Sequence, residues 1–120
     1  MADILISDDS ASMRQMLTFT LAEAHYQVMA TDNGLQALEL AKIQPFDLII
    51  TDINMPLLDG LSLVRELRSL PTYQFKPILL LTTENDPEKK KIAKTVGATG
   101  WIVKPFNPDK LLAAVRKVLG

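Results

Sequence analysis

The 120-residue chain has no cysteine, one histidine and one tryptophan. Without cysteine, disulfides, thiolate nucleophiles and cysteine-ligated metals are excluded together, and His25 alone does not make a histidine-ligated metal site. Charge of one sign is also scarce. A net charge of −1 gives no general attraction to nucleic acid or anionic lipid, and Lys89-Lys90-Lys91 is too short to reverse that; it reads as a solvated helix face. No apolar run approaches the ~20 residues of a membrane span. Met1-Ala2-Asp3-Ile4 leads into a strand-like segment without the basic and long apolar parts of a leader. The chain is therefore read as one cytoplasmic domain, 1–120, whose 48% hydrophobic residues suffice for a single core.

What is present is an alternation. Ile4-Leu5-Ile6 is a short, continuously apolar run and reads as a buried strand. From Ser10 the spacing becomes helical, with Met13, Met16, Leu17, Leu21 and Ala24 on one face and Ser10 or Ser12 as cap. Tyr26 to Thr31 is mixed and suits an edge strand. Asn33 caps a helix to Lys42 whose stripe is Leu35, Leu38 and Ala41, with Gln36 placed as in a capping box. Asp47 to Thr51 is the third strand. Leu63, Val64, Leu67 and Leu70 mark a helix that ends at Pro71, and Ile78 to Leu81 a fourth strand. Asp86-Pro87 and Asn107-Pro108 are caps followed by proline at the first helical position. The helix after Asp86 buries Ile92, Ala93 and Val96, and the last buries Leu111, Leu112, Val115, Val118 and Leu119. Trp101 to Val103 is the fifth strand between them. Five strands alternating with five helices predict an α/β fold: a doubly wound parallel sheet covered on both faces.

In such a sheet ligands bind beyond the carboxyl ends of the strands. Those ends carry Asp8 and Asp9, Asp52, Thr82 and Thr83, and Lys104; the second strand contributes nothing. Asp52 closes the apolar run Leu48-Ile49-Ile50, where a carboxylate is costly unless a cation or several donors meet it. Two carboxylates about 5 Å apart repel by roughly 3 kcal/mol at an effective dielectric of about 20, so three call for a counter-ion. All-oxygen ligation selects Mg²⁺, Mn²⁺ or Ca²⁺ over zinc, and Mg²⁺ also accepts waters and phosphate oxygens. A carboxylate nucleophile, a hard cation, a lysine and a strand-end hydroxyl suit phosphoryl transfer to give an aspartyl phosphate.

Ile4-Leu5-Ile6-Ser7-Asp8-Asp9-Ser10, Asp52-Ile53-Asn54-Met55-Pro56-Leu57-Leu58-Asp59-Gly60, Leu81-Thr82-Thr83 and Lys104-Pro105-Phe106, in this order and spacing, resemble the receiver domain of two-component response regulators. The likeness spans essentially the whole chain. Because no output domain follows the fifth helix, it is most similar to the stand-alone, CheY-like chemotaxis regulators of that family.

The resemblance implies the flavodoxin-like three-layer fold with strand order 2-1-3-4-5. It implies a switch that catalyses its own phosphorylation and dephosphorylation, with Asp52 as phosphoacceptor from a CheA-like histidine kinase or from acetyl phosphate. Asp9, Asp52 and the backbone carbonyl of Asn54 would ligate Mg²⁺, with Asp8 contributing directly or through water. Lys104, before a cis proline, would bind a phosphoryl oxygen, and Thr82 would hydrogen-bond the arriving group. Trp101 stands where the family carries a switch tyrosine or phenylalanine, but equally reads as a ring packed on an edge strand. Asn54 and Glu84 resemble positions that tune dephosphorylation, or are exposed loop polars. A flagellar motor switch protein is the implied target, through Lys90, Lys94, Thr95, Trp101 and Lys117, with a phosphatase as a further partner and a monomer as the state.

A phosphorelay intermediate or phosphate sink would share every site residue and stays open beside motor control. Readings outside the family fit less well. A flavodoxin-type carrier would find its anion repelled by Asp8-Asp9, and a haloacid-dehalogenase-type phosphatase wants an aspartate where Asn54 stands. A receiver reduced to an interaction module would not need all the central polar residues. Ser7 is expected to bond to nearby backbone, His25 to be exposed, and the five methionines to fill core or helix faces.

Overall fold

The computed structural model describes residues 2–83 and 87–119. The elements are β1 (Asp3–Ser7), α1 (Ala11–Glu23), β2 (Gln27–Thr31), α2 (Gly34–Ile43), β3 (Leu48–Asp52), α3 (Gly60–Arg68), a 3₁₀ turn (Pro71–Tyr73), β4 (Ile78–Thr82), α4 (Pro87–Val96), β5 (Gly100–Val103) and α5 (Pro108–Leu119). All strand pairs are parallel and their order is β2-β1-β3-β4-β5. The predicted fold class and strand order are those observed, with β2 at one edge.

Period-two alternation divides each central strand between two cores. Ile4, Ile6, Leu48, Ile50, Leu79 and Leu81 pack with Leu17 and Leu21 of α1 and Leu111 and Val115 of α5. Leu5, Ile49, Ile78 and Leu80 face the other way, against Ala37, Leu38 and Ala41 of α2, Leu63, Val64 and Leu67 of α3, and Ala93 of α4. Burial on both faces is why these strands read as unbroken apolar runs. Each fully buried Leu or Ile contributes about 1.5–3 kcal/mol.

The caps follow the sequence. Ser10, rather than Ser12, receives the Met13 N–H. Asn33 accepts from the Gln36 N–H at 2.8 Å, and Asn107 from that of Lys110 at 2.8 Å. Asp59, read only as part of a turn, also caps α3 through the Ser62 N–H at 2.8 Å. The expected Asp86 cap lies outside the described residues.

Three stripe residues depart from expectation. Leu35 and Ile92 are each 43% exposed. Gly34, Ala37, Leu38 and Ala41 form the packed face of α2, so Leu35 is rotated about 100° away from it. Ile92 stands in the same relation to Ala93. Leu70 lies beyond α3, which stops at Arg68 before the 3₁₀ turn. Met29 is exposed too, on edge strand β2 rather than in a core, with Gln44 Nε2 2.7 Å from its sulfur. His25 is exposed as expected, in left-handed backbone after α1.

Two polar side chains that sequence periodicity did not single out tie the structure together. Arg68 Nε donates to the Gly97 carbonyl, and its Nη1 to those of Tyr73 and Lys76, joining α3 to the end of α4 and the loop before β4. Tyr73 is fully buried. Its hydroxyl accepts the Phe46 N–H at 3.2 Å and lies within donating distance of the Ala41 and Gln44 carbonyls. Tyr73→Phe leaves that N–H without an acceptor. It is expected to lower the unfolding free energy by about 1–3 kcal/mol in a urea titration with an unchanged m-value; an unchanged midpoint would show that the hydroxyl bonds contribute nothing net.

Candidate functional site

Because the strands are parallel, the residues that terminate them meet at one edge. Asp8 follows β1 and is fully buried. Its Oδ1 accepts the Ser10 N–H at 2.9 Å and its Oδ2 accepts from Lys104 Nζ at 2.9 Å. Its backbone is pinned on both sides: the carbonyl accepts from Arg14 Nη1 at 2.7 Å and the N–H donates to the Thr31 carbonyl at 3.1 Å. The edge strand β2, expected to contribute nothing, thus supports the acidic loop. Thr31 does this because β1 and β2 pair in register, Ser7 with Thr31.

Asp52, the last residue of β3, accepts the Ile53 N–H on Oδ1 at 2.8 Å, and its Oδ2 lies 3.4 Å from Lys104 Nζ. Asp9 is exposed, yet the carboxylates of Asp8, Asp9 and Asp52 each offer an oxygen within 4.8 Å of the others. Burial is the largest influence on Asp52 and pushes its pKa up. Lys104 and the Ile53 N–H pull it down, and Asp8 adds to the rise.

Lys104 leaves β5 beside β4: its N–H donates to the Thr82 carbonyl at 2.8 Å. Thr82 is buried at the end of β4. The peptide bond between Lys104 and Pro105 is cis, as the resemblance implied. One ammonium therefore serves two carboxylates, with a third close by, and the cluster carries excess negative charge on hard oxygen donors. That donor set fits a divalent cation of the oxygen-seeking class.

Among the other site residues, Asn54 is exposed at the rim, whereas Glu84 lies outside the described residues. Ser7 does not bond to nearby backbone. Its hydroxyl reaches across to the Asn33 carbonyl at 3.1 Å and to the Met55 sulfur at 3.0 Å, because packing sets the cap of α2 and the β3–α3 loop against the end of β1.

Trp101 is half-buried on β5, the second edge strand, with Lys90 Nζ 4.8 Å from its ring centroid. Lys90 is thus not simply solvated, since its charge sits over an aromatic face. With Lys94, Ala93 and Ala98 they line a groove of about 670 Å³ between α4 and β5, away from the acidic cluster. Thr95 on α4 and Lys117 on α5 are both exposed, and neither lines that groove. Arg14 was not singled out by sequence reading; only a helical count from Asp8 would have suggested that it returns to that loop.

Comparison with known proteins places this geometry. The family model of the response regulator receiver domain matches residues 4–116. A chemotaxis protein CheY homolog of Campylobacter jejuni is 36% identical over 119 residues, covering 98% of this chain and 92% of its own. The structure of the chemotaxis response regulator CheY4 of Vibrio cholerae superposes with a TM-score of 0.95 at 50% identity, covering 98% of both chains. The receiver domain of a sensor histidine kinase from Pseudomonas aeruginosa, solved with a magnesium ion in its active site cleft, gives a TM-score of 0.92 at 27% identity, covering 99% of this chain and 98% of that one. Matched by the family model from residue 4 to residue 116 and by relatives along nearly its whole length, the chain belongs to the receiver domains of two-component response regulators, which are signalling switches.

Proposed function

We propose that Asp52 is the phosphoacceptor of a chemotaxis-type response regulator, phosphorylated by a histidine kinase and signalling through phosphorylation-dependent protein binding. The observation that carries this reading is the single ammonium of Lys104 set between Asp8 and Asp52, at 2.9 and 3.4 Å. The names of the Campylobacter and Vibrio relatives support chemotaxis as the context. Asp9, Asp52 and the Asn54 carbonyl are the proposed holders of Mg²⁺, with Asp8 direct or through water. Bound there, the ion would neutralise charge on the carboxylates and on the phosphoryl oxygens.

The chain's own residues perform the rest. An Asp52 carboxylate oxygen attacks the phosphorus, the P–N bond of the phosphohistidine breaks, and the imidazole nitrogen keeps the electron pair. Lys104, already aimed at Asp52, donates to a phosphoryl oxygen as negative charge arrives. Thr82 adds a hydroxyl donor worth about 1.5–3 kcal/mol. A swing from 1:99 to 99:1 takes about 5.5 kcal/mol, so Thr82, Lys104 and partner binding act together. In the separate dephosphorylation step a water oxygen attacks phosphorus and the Asp52–phosphorus bond breaks, releasing inorganic phosphate and the water's proton and restoring the carboxylate. Asn54 and Glu84 are the residues proposed to tune that water's access. The output surface proposed is the groove beside Trp101 with Lys90 and Lys94, together with Thr95 and Lys117, and the target is a motor switch protein.

Intact-mass measurement after incubation with acetyl phosphate and Mg²⁺ is expected to show one added phosphoryl group. The addition is lost without Mg²⁺ or in Asp52→Asn, and its persistence in that variant would contradict the assigned acceptor. A second outcome follows from burial. The folded pKa of Asp52 is raised, so its contribution to stability is full below the unfolded value near 3.9 and is lost as pH rises through the folded value. In EDTA, Asp52→Asn should therefore melt higher than the wild type at pH 7, with the gap closing towards pH 4; a lower melting point at pH 7 would refute the burial argument. Finally, Mg²⁺ with beryllofluoride is expected to alter Trp101 emission. Unchanged fluorescence alongside proven phosphorylation would remove Trp101 from the switch.

A further inference from the structure

Leu57 has φ 70° and is 76% exposed. Left-handed backbone crowds the Cβ of a leucine, whereas glycine, and to a lesser degree asparagine, occupies it readily. The strain is held in place. The Leu58 N–H donates to the Pro56 carbonyl at 2.8 Å, closing a three-residue turn around Leu57.

Both flanks of that turn are fixed. After it, the Gly60 N–H donates to the Ile53 carbonyl at 2.7 Å, and a Cβ at Gly60 would overlap the Asp52 carbonyl. Beside it, a Cβ at Gly34 would overlap the Leu58 carbonyl, so the loop lies flush against α2. An apolar side chain is thus held outward at a set position relative to Asp52, on the carboxyl edge of the sheet. It belongs to neither hydrophobic core. Strained backbone and exposed apolar surface together, next to a reactive group, point to a contact made outside the chain.

We propose that Leu57 is a specificity-determining contact for the protein phosphodonor. The inference rests on the reading of Asp52 as phosphoacceptor. A protein that brings a phosphohistidine to Asp52 lays its surface across the adjoining β3–α3 loop, and an apolar patch beside its histidine would desolvate Leu57. A small donor such as acetyl phosphate has no surface with which to do so. Leu57 therefore separates the two donors by kcat/KM without touching the reacting atoms.

The test compares Leu57→Asn, Leu57→Met and Phe75→Ser with the wild type. Leu57→Asn relieves the backbone, so misfolding does not confound it. Phe75, 94% exposed in the loop before β4, is an apolar control at the opposite edge of the sheet. The protein probe is whichever autophosphorylated kinase in a purified panel transfers fastest to the wild type; the small probe is acetyl phosphate with Mg²⁺. Leu57→Asn is expected to lose at least about tenfold in kcat/KM with the kinase while staying within about twofold with acetyl phosphate. Leu57→Met is expected to retain most of the transfer, and Phe75→Ser all of it. Equal losses with both donors, no loss with the kinase, or an equal loss in Phe75→Ser would overturn the proposal. Transfer from no kinase, with acetyl phosphate active, would overturn the protein-donor reading and this proposal with it. A wild type unlabelled by acetyl phosphate would instead overturn Asp52 as acceptor.

Discussion

One ammonium among three carboxylates is the constraint on which the rest depends. Lys104 reaches Asp8 and Asp52 from the end of β5, so the two sit on either side of a shared positive charge rather than repelling freely. Asp8 is the buried member, and its oxygens are met by the Ser10 N–H and by Lys104. Asp52 is less well compensated, which is why burial wins and its pKa rises. The cluster is therefore under electrostatic tension of the kind that a hard cation relieves.

The parallel sheet makes that tension tolerable by making it rigid. β1 and β3, which carry the acidic residues, are central strands buried on both faces. The loop after Asp52 is seated by two glycines, one against the Asp52 carbonyl and one under Leu58. The loop after β1 is pinned by Arg14 and by Thr31 of the neighbouring strand. Charges held this way need little reorganisation, the condition under which electrostatic stabilisation of a transition state is most effective.

The same architecture links the site to a surface. Thr82 and Lys104 are joined backbone to backbone, and both strands continue back to the groove side, where Trp101 sits under the Lys90 ammonium. The strand end at Lys104 therefore lies three residues along β5 from an aromatic ring, with Lys90 over its face. Arg68 anchors the far end of α4 through the Gly97 carbonyl, leaving the end nearer Thr82 as the part of that helix closest to the site.

The alternation of apolar runs and helical stripes was enough to establish a doubly wound sheet, and the polar residues ending the strands were enough to say which side chains gather at one edge of it. Both signals are local: a strand buried on both faces must be apolar throughout, and parallel strands bring their ends together whatever the loops do. The strand order was not legible in the pattern and came only with the family likeness. What tertiary structure alone decided were the long-range partners. Ser7 bonds to Asn33 and Met55 instead of nearby backbone, Thr31 holds the acidic loop, Lys90 caps Trp101, and Tyr73 ties three backbone groups near the end of α2. Leu35 and Ile92 show the same limit from the other side, because a helix can bury only the face that its neighbours present room for, and a hydrophobic residue one step off that face stays in water. Periodicity reads what a segment offers; which groups meet across the chain is set by packing between segments distant in sequence.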